Sequence, residues 1–505
     1  MALKAFQHVA RWRSSVLSTL FVACSLLGVS GLGCSSTRTA PDRSSPNRSL
    51  PSGAAGTAAA TSGIGTNANA RTGAAGASGG GSFVVTRSIE GPPEGCKNLQ
   101  CKQYGCATGT TTISGQVFEP AGRNPLYNVA VYVPNEPVAP LRKGASCDKC
   151  AEMYSGKAVV STLTDPQGRF RLEKAPAGDN IPLVVQIGKW RKQVTIPTVA
   201  RCADTVVPKE LTTLPRNGKE GDLPNIAIAT GGADTLECLL RRIGVDASEY
   251  TAGPDGEGHI HIFQGAGFGF FPAPNTRPGA PAASEALWNS ADSLMKYDVV
   301  LLSCEGQETA NMNQQALHDY ADRGGRVFAS HFHYAWFNTG PYAEEELATW
   351  SAGSNDLGNI NGSIVTTFPK GMALQQWLMD NNALVNGELP IQEARNNADV
   401  QPSIHDVSQP WIVGAPGSMA ATQYFSFNTP TAQARTPDGV LCGRVVFSDL
   451  HVGAASDDNP MDPVPQSCKN VELSPQEKAL EFMLFDLSAC VIPDDVPPTP
   501  PPPLK

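Results

Sequence analysis

The sequence predicts a multidomain protein: a β-sandwich, then an α/β domain with a mostly parallel sheet, between a disordered N-terminal tether and a Pro-rich tail. Three observations carry this. Tyr297 to Trp336 reads as strand, helix, strand. Val299 to Leu302 is a continuous apolar run, fit for a strand buried on both faces. Ala316, Leu317, Tyr320 and Ala321 recur at helical spacing, Gly324 and Gly325 stop that helix, and Arg326 to Ala329 is the next strand. Two strands joined by a helix make a parallel, right-handed unit. Residues 111–207 instead show short alternating strands between Gly/Pro turns, the mark of a sandwich. Residues 35–90 are Ser, Thr, Ala, Gly, Pro and Asn with few large apolar side chains, and cannot bury a core.

The net charge of −9 argues against a nucleic-acid partner, which needs a basic face. Residues 1–34 read as an export signal. Lys4, Arg11 and Arg13 precede an apolar run from Val16 to Val29, and Gly31-Leu32-Gly33-Cys34 closes it. This resembles a bacterial lipoprotein signal, which implies lipidation of Cys34 and a membrane partner through that anchor. An ordinary secretory signal and an uncleaved anchor are the alternatives, and all three export the chain. The expected location is the cell envelope, at the outer membrane, or the periplasm or outside. Export makes disulfides the default state of cysteine.

Taken in order, residues 91–110 are a Cys-rich segment with Cys96, Cys101 and Cys106. Cys147-Asp148-Lys149-Cys150 adds a CxxC. Disulfides are preferred to a zinc site there, and the pairing of the six cysteines up to Cys202 stays open. Within the sandwich, Phe170 and Leu172 alternate with Arg169 and Arg171 after the turn Thr164 to Gly168. Residues 208–224 read as a polar linker crossed by few contacts, so that the two domains fold separately. Residues 225–490 form the α/β domain, interrupted at 337–441 by an irregular insertion with one clear helix, Met372 to Met379, and some short strands. Ile226 to Ala229 is its first strand, His259 and His261 share a face of a short edge strand, and Arg444 to Leu450 is a further buried strand. Ser474-Pro475-Gln476-Glu477 is a capping box that starts the terminal helix. Residues 491–505 are the tail.

Two stretches carry resemblances. ISGQVFEPAGRNPLYNVAVYV followed by STLTDPQGRFRLEKAPAG resembles the carboxypeptidase regulatory-like (transthyretin-like) domain over about a hundred residues. That implies an accessory β-sandwich. Residues 225–490, with GGRVFASH and GRVVFSDLH, resemble the class I glutamine amidotransferase-like and trehalose-utilisation-like proteins. That implies a flavodoxin-like sheet. An active amidotransferase carries a G-x-C-x-G elbow where this chain has Phe328-Ala329-Ser330-His331-Phe332, with neither the cysteine nor the glycines. The whole arrangement resembles a group of exported lipoproteins of predatory and soil bacteria.

Ligands of parallel sheets bind beyond the carboxyl ends of the strands. Asp234, Cys304, Glu305, Ser330, His331, His333, Asp449 and His451 all fall there. The leading expectation is a non-catalytic binding protein for carbohydrate or peptide, using Asp234, Glu305 and Ser330, with Tyr334 and Trp336 as stacking surfaces. A hydrolase is the alternative, with Cys304 as nucleophile and His331 or His451 as base. A metal site from His331, His333, Asp449 and His451 is the third, and a divalent metal such as zinc is the one cofactor candidate. Cys304 is expected to be an unpaired, sluggish thiol, because Glu305 disfavours its thiolate. Cys442 and Cys468 are expected to pair across a loop of about 25 residues, closure contributing about 3 kcal/mol.

Overall fold

The computed structural model describes residues 91–266, 273, 276–414, 421–451 and 462–504. The signal, Cys34 and the tether expected at residues 1–90 lie outside the described residues.

The sandwich has a three-stranded sheet, β1 (Thr112–Gln116), β4 (Arg169–Glu173) and β7 (Asp204–Val206), in the order β4-β1-β7. It faces a four-stranded sheet of β2 (Ala130–Pro134), β3 (Ala158–Leu163), β5 (Gly178–Ile187) and β6 (Trp190–Val199), in the order β3-β2-β5-β6. Period-two patterning decides its faces: in β4, Phe170 and Leu172 are buried while Arg169, Arg171 and Glu173 are exposed. The turn before β4 needs Gly168. Its φ is +71°, and a Cβ there would lie 2.6 Å from the carbonyl oxygen of Val117.

The second part is built on a 10-stranded sheet. Its parallel half runs β9 (Tyr250–Ala252), β10 (Ile260–Phe263), β8 (Ile226–Ala229), β11 (Val299–Leu302), β12 (Arg326–Ser330), β19 (Gly443–Ser448). β10 thus lies between two strands and is wholly buried, so His261 is not on a solvated edge. The expected strand–helix–strand unit is present as β11, α2 (Gln314–Asp322) and β12. The Asn313 side chain accepts from the Ala316 N–H at the helix start. Helix α1 (Leu236–Arg242) follows β8.

The stretch 337–441 is not an irregular insertion. It adds antiparallel strands to the same sheet: β18 (Thr422–Thr429) beside β19, then β17 (Ser408–Val413), β14 (Asp356–Ile364) and β15 (Leu389–Arg395). β13 (Thr349–Trp350) and β16 (Ala398–Asp399) pair separately, and α3 is Pro369–Asp380. The cause is local. β14 carries Gly358 and Gly362 and changes register against β15, so its sequence lacks clean alternation. Every residue of β18 is buried, which also hides a period of two.

The sandwich and the α/β part belong to one compact unit, and one apolar core runs through both. The terminal helix α4 (Pro475–Ser488), started by the capping box at Ser474, is the shared wall. Phe482 stacks on Tyr127 at 5.7 Å, Phe485 lies 5.8 Å from Trp190, and the Trp377 indole N–H donates to the Pro125 carbonyl at 2.6 Å. The expectation that few contacts cross between the two is therefore corrected. The CxxC has the same role: Cys147 pairs with Cys442 and Cys150 with Cys490, each joining the sandwich to the α/β part. The tail is not free. Leu504 N–H donates to the Ala158 carbonyl at 2.8 Å, Ser161 bonds Pro501, and Asp494 pairs with Arg444 at 2.7 Å.

Cys442 and Cys468 do not pair; Cys468 bonds Cys238. The reason is the length of β19. Cys442 precedes that strand, and six residues at about 3.3 Å each carry the chain about 20 Å to the other rim. Cys468 emerges near that rim, beside the first turn of α1. The remaining bridges are Cys96–Cys101 and Cys106–Cys202.

One buried carboxyl at the shared wall has a pH consequence. Glu481 accepts from the Asn124 amide at 2.6 Å, and burial beside Glu119 raises its pKa well above the usual range. The folded state then holds a proton that the unfolded chain releases near pH 4.3, the ordinary glutamate value being about that. Stability falls as pH rises above that point. Glu481→Gln is expected to raise the melting temperature at pH 8 and change it little at pH 4.5; equal shifts at both would contradict this.

Candidate metal centre

The carboxyl ends of β11, β12 and β19 bring three side chains together. Cys304 lies two residues beyond β11, fully buried, and its backbone N–H donates to the Ser330 hydroxyl at 3.0 Å. The loop after β8 packs on it: a Cβ at Gly231 would lie 2.1 Å from the Cys304 carbonyl oxygen. His331 follows β12 with φ +43°, the left-handed region that few non-glycine residues occupy. His451 lies three residues beyond β19.

Nδ1 of His331 is 3.4 Å from Cys304 Sγ and 3.1 Å from Nε2 of His451. Its other nitrogen, Nε2, is 3.2 Å from the Ser354 carbonyl oxygen. A carbonyl only accepts, so Nε2 carries the proton and Nδ1 presents a single lone pair. The thiol and the second imidazole both face that lone pair. The three donor atoms all lie within 4.8 Å of one another. A tetrahedral zinc ion with bonds of about 2.0 Å to nitrogen and about 2.3 Å to sulfur would set its donors about 3.3 and 3.5 Å apart. The two spacings from His331 Nδ1 are close to these, so the group could hold a metal, with the Ser354 carbonyl as the outer partner that orients the His331 imidazole.

The electrostatics fit a ligand set better than a nucleophile with its base. Burial pushes the Cys304 thiol up to about 12; the backbone N–H groups of Phe332 and Gly306 oppose that, and Asp234 and Glu305 add to it. Burial, with Arg395 nearby, holds His331 down to about 4. Burial, then His331 and Arg395, holds His451 down to about 3. Neutral imidazoles beside a protonated thiol do not form the thiolate–imidazolium pair that a cysteine hydrolase uses. Neutral imidazoles are what a metal binds. Cys304 is the one free cysteine among the described residues.

Other expected residues surround this group in different roles. The described three-residue cluster contains Cys304 in place of His333 and Asp449. His333 is turned to the Ser330 carbonyl through Nδ1 at 2.8 Å, and burial holds it down to about 4. Asp449 is tied through Oδ2 to the N–H groups of Asn397 and Ala398 at 2.7 and 2.9 Å. Burial pushes it up to about 7. Burial also pushes Glu305 up to about 7, against bonds from the Ala266 N–H and Thr309. Asp234 accepts from the Thr235 N–H at 3.1 Å, and Ser330 clips β12 to the end of β11. Tyr334 and Trp336 are not stacking surfaces: both are fully buried. Tyr334 bonds Glu308 and accepts from the Gly353 N–H at 2.8 Å, while Trp336 meets Trp288 edge-on at 5.2 Å and donates to Thr309. Their turn follows β12 into the core rather than out of it.

Sequence reasoning missed Ser354, Arg395, Asn397 and Ala398. All come from the stretch 337–441, and no residue pattern there announces a contact with a strand end more than fifty positions away in several cases.

No family model matches the chain, and no curated protein matches it. Among solved structures, two mutants of a type II cohesin–X-dockerin complex from Acetivibrio cellulolyticus are similar to part of it. One has 14% identity and a TM-score of 0.15 over 24% of this chain and 76% of that one. The other has 13% and 0.16 over 27% and 85%. A 9R-lipoxygenase from Cyanothece PCC8801 has 15% identity and a TM-score of 0.11 over 25% of this chain and 18% of that one. At such TM-scores none of them informs the fold or the function.

Proposed function

We propose that this is an exported, lipid-anchored envelope protein whose α/β part holds a transition-metal ion of the zinc type and uses it to bind a polar ligand. The observation that carries the reading is the single lone pair of His331 Nδ1 facing Cys304 and His451 at 3.4 and 3.1 Å. The five disulfides among the described residues support export. Among the described residues no helix is long and apolar enough to cross a membrane; in this reading the membrane is reached through the lipid on Cys34. The strand order β10-β8-β11-β12-β19 supports the flavodoxin-like, amidotransferase-like fold, and the paired sheets of residues 112–206 support the carboxypeptidase regulatory-like sandwich.

Polar atoms at the same strand ends favour a polar ligand, a carbohydrate or a peptide. Ser303 Oγ, Glu305 Oε2, His333 Nε2 and Asp449 Oδ1 are buried without a hydrogen-bond partner among the described residues. Buried polar groups left this way call for a partner from outside the chain. A hydrolase reading draws on the same centre, since three protein ligands leave one position for water.

Elemental analysis of the purified, exported protein tests the proposal. One zinc-type ion per chain, removed by a chelator and restored on dialysis, is expected. A chain that is metal-free after purification and takes up none would end it. Turnover of peptide or glycoside substrates by the loaded form only would select the hydrolase.

A further inference from the structure

A cleft lies where the sandwich meets the α/β part. It has a volume of about 560 Å³ and is lined by Lys192, Lys209, Arg216 and Arg241, with Glu210, Glu220 and Asp246 also on its walls. The acidic groups do not neutralise it evenly. Arg216 bonds Glu220 through its backbone N–H, Nε and Nη2, at 3.0, 3.0 and 2.6 Å, and the same carboxylate acts on Lys192 at longer range. Asp246 accepts from the Asn217 amide. Arg242, also on the wall, pairs with Glu477, while Lys192, Lys209 and Arg241 have no carboxylate in ion-pair range among the described residues. Lys192 donates to the carbonyls of Glu210 and Thr213 at 2.9 and 3.0 Å, which leaves one ammonium proton. Arg241 donates one guanidinium N–H to the Val245 carbonyl. Lys209 lies 4.3 Å over the Phe118 ring.

The neighbouring cleft on the sandwich, about 730 Å³, shares Lys209 but is otherwise different. Its arginines are already paired, Arg169 with Asp165 at 3.5 Å and Arg171 with Asp204 at 3.3 Å. In a chain of net charge −9, a concavity with three such cations on its wall favours an anionic ligand.

We propose that the cleft at the junction binds a tetrahedral oxyanion, the phosphate or sulfate group of a larger ligand. Its oxygens would take charge-assisted bonds from the cations on the wall, Lys192, Lys209 and Arg241. The phosphate of a lipid headgroup and that of a soluble ligand offer the same chemistry. The site is remote in the fold from the strand ends that hold Cys304 and does not depend on the metal.

The test uses the full, disulfide-bonded protein with inorganic phosphate at constant ionic strength, read by calorimetry and by thermal shift. Saturable binding is expected, weakened about tenfold by Lys209→Met and by Arg241→Met, one charged contact being lost in each. Lys209 is exposed, so its variant keeps the fold. Arg171→Met, in the neighbouring cleft, is expected to leave binding unchanged. No phosphate-specific response in the wild type, or an Arg241→Met or Lys209→Met protein that binds like the wild type, overturns the proposal. Vesicles with and without phosphatidic acid then separate the sources: sedimentation lost in Lys209→Met indicates a lipid headgroup, and phosphate binding without sedimentation a soluble ligand.

Discussion

Serine in place of Cys304 is expected to lower zinc affinity by more than about 100-fold, beyond the 10–100-fold loss typical of an outer-shell partner. The thiolate is the softest donor of the three, and a hydroxyl does not replace it. His451→Ala should act in the same direction, because two donors then remain. The pH dependence has a definite sign. Burial holds the Cys304 thiol protonated up to about 12, so binding near neutrality must release its proton. The imidazoles, held down to about 4 and about 3, contribute none there. Affinity should therefore rise about tenfold per pH unit between pH 6 and 8, one proton being displaced. Competition with a chelator at several pH values measures it. A flat profile would mean that the thiol is not a ligand.

Removing the clamp between the two parts should be the most damaging change to stability. In Cys147→Ser/Cys150→Ser, both bridges from the CxxC are lost, to Cys442 and Cys490. Each closes a long loop, 295 and 340 residues, and a native bridge of this kind contributes about 2–5 kcal/mol. The double variant should melt well below the wild type and be cut faster at residues 208–223. In the wild type a cut there should leave two pieces that run together without reductant and separate with it. Fragments that part without reductant would show that the bridges do not form.

How much was legible follows from which forces act locally. The unit from β11 to β12 was, because strands buried on both faces are continuous apolar runs and α2 repeats on one face. The sandwich was, through alternation such as that of Phe170 and Leu172. β14, β17 and β18 were not, because register shifts and two-sided burial remove the pattern. Disulfide partners were not, since pairing depends on which rim a chain end reaches; Cys442 and Cys468 are close in sequence and lie at opposite ends of β19. In the site, the rule that ligands sit at carboxyl ends of strands found Cys304, His331 and His451. It could not tell which carboxylate or histidine points into the group. Asp449 is held by two backbone N–H groups from β16 and its approach, and His333 by the last carbonyl of its own strand.

X-ray absorption at the metal edge of the zinc-loaded protein tests the centre most directly. One sulfur at about 2.3 Å and two imidazole nitrogens at about 2.0–2.1 Å are expected, with the sulfur absent in Cys304→Ser. A shell of oxygen and nitrogen alone in the wild type would contradict the assignment of Cys304, His331 and His451 as the metal's ligands.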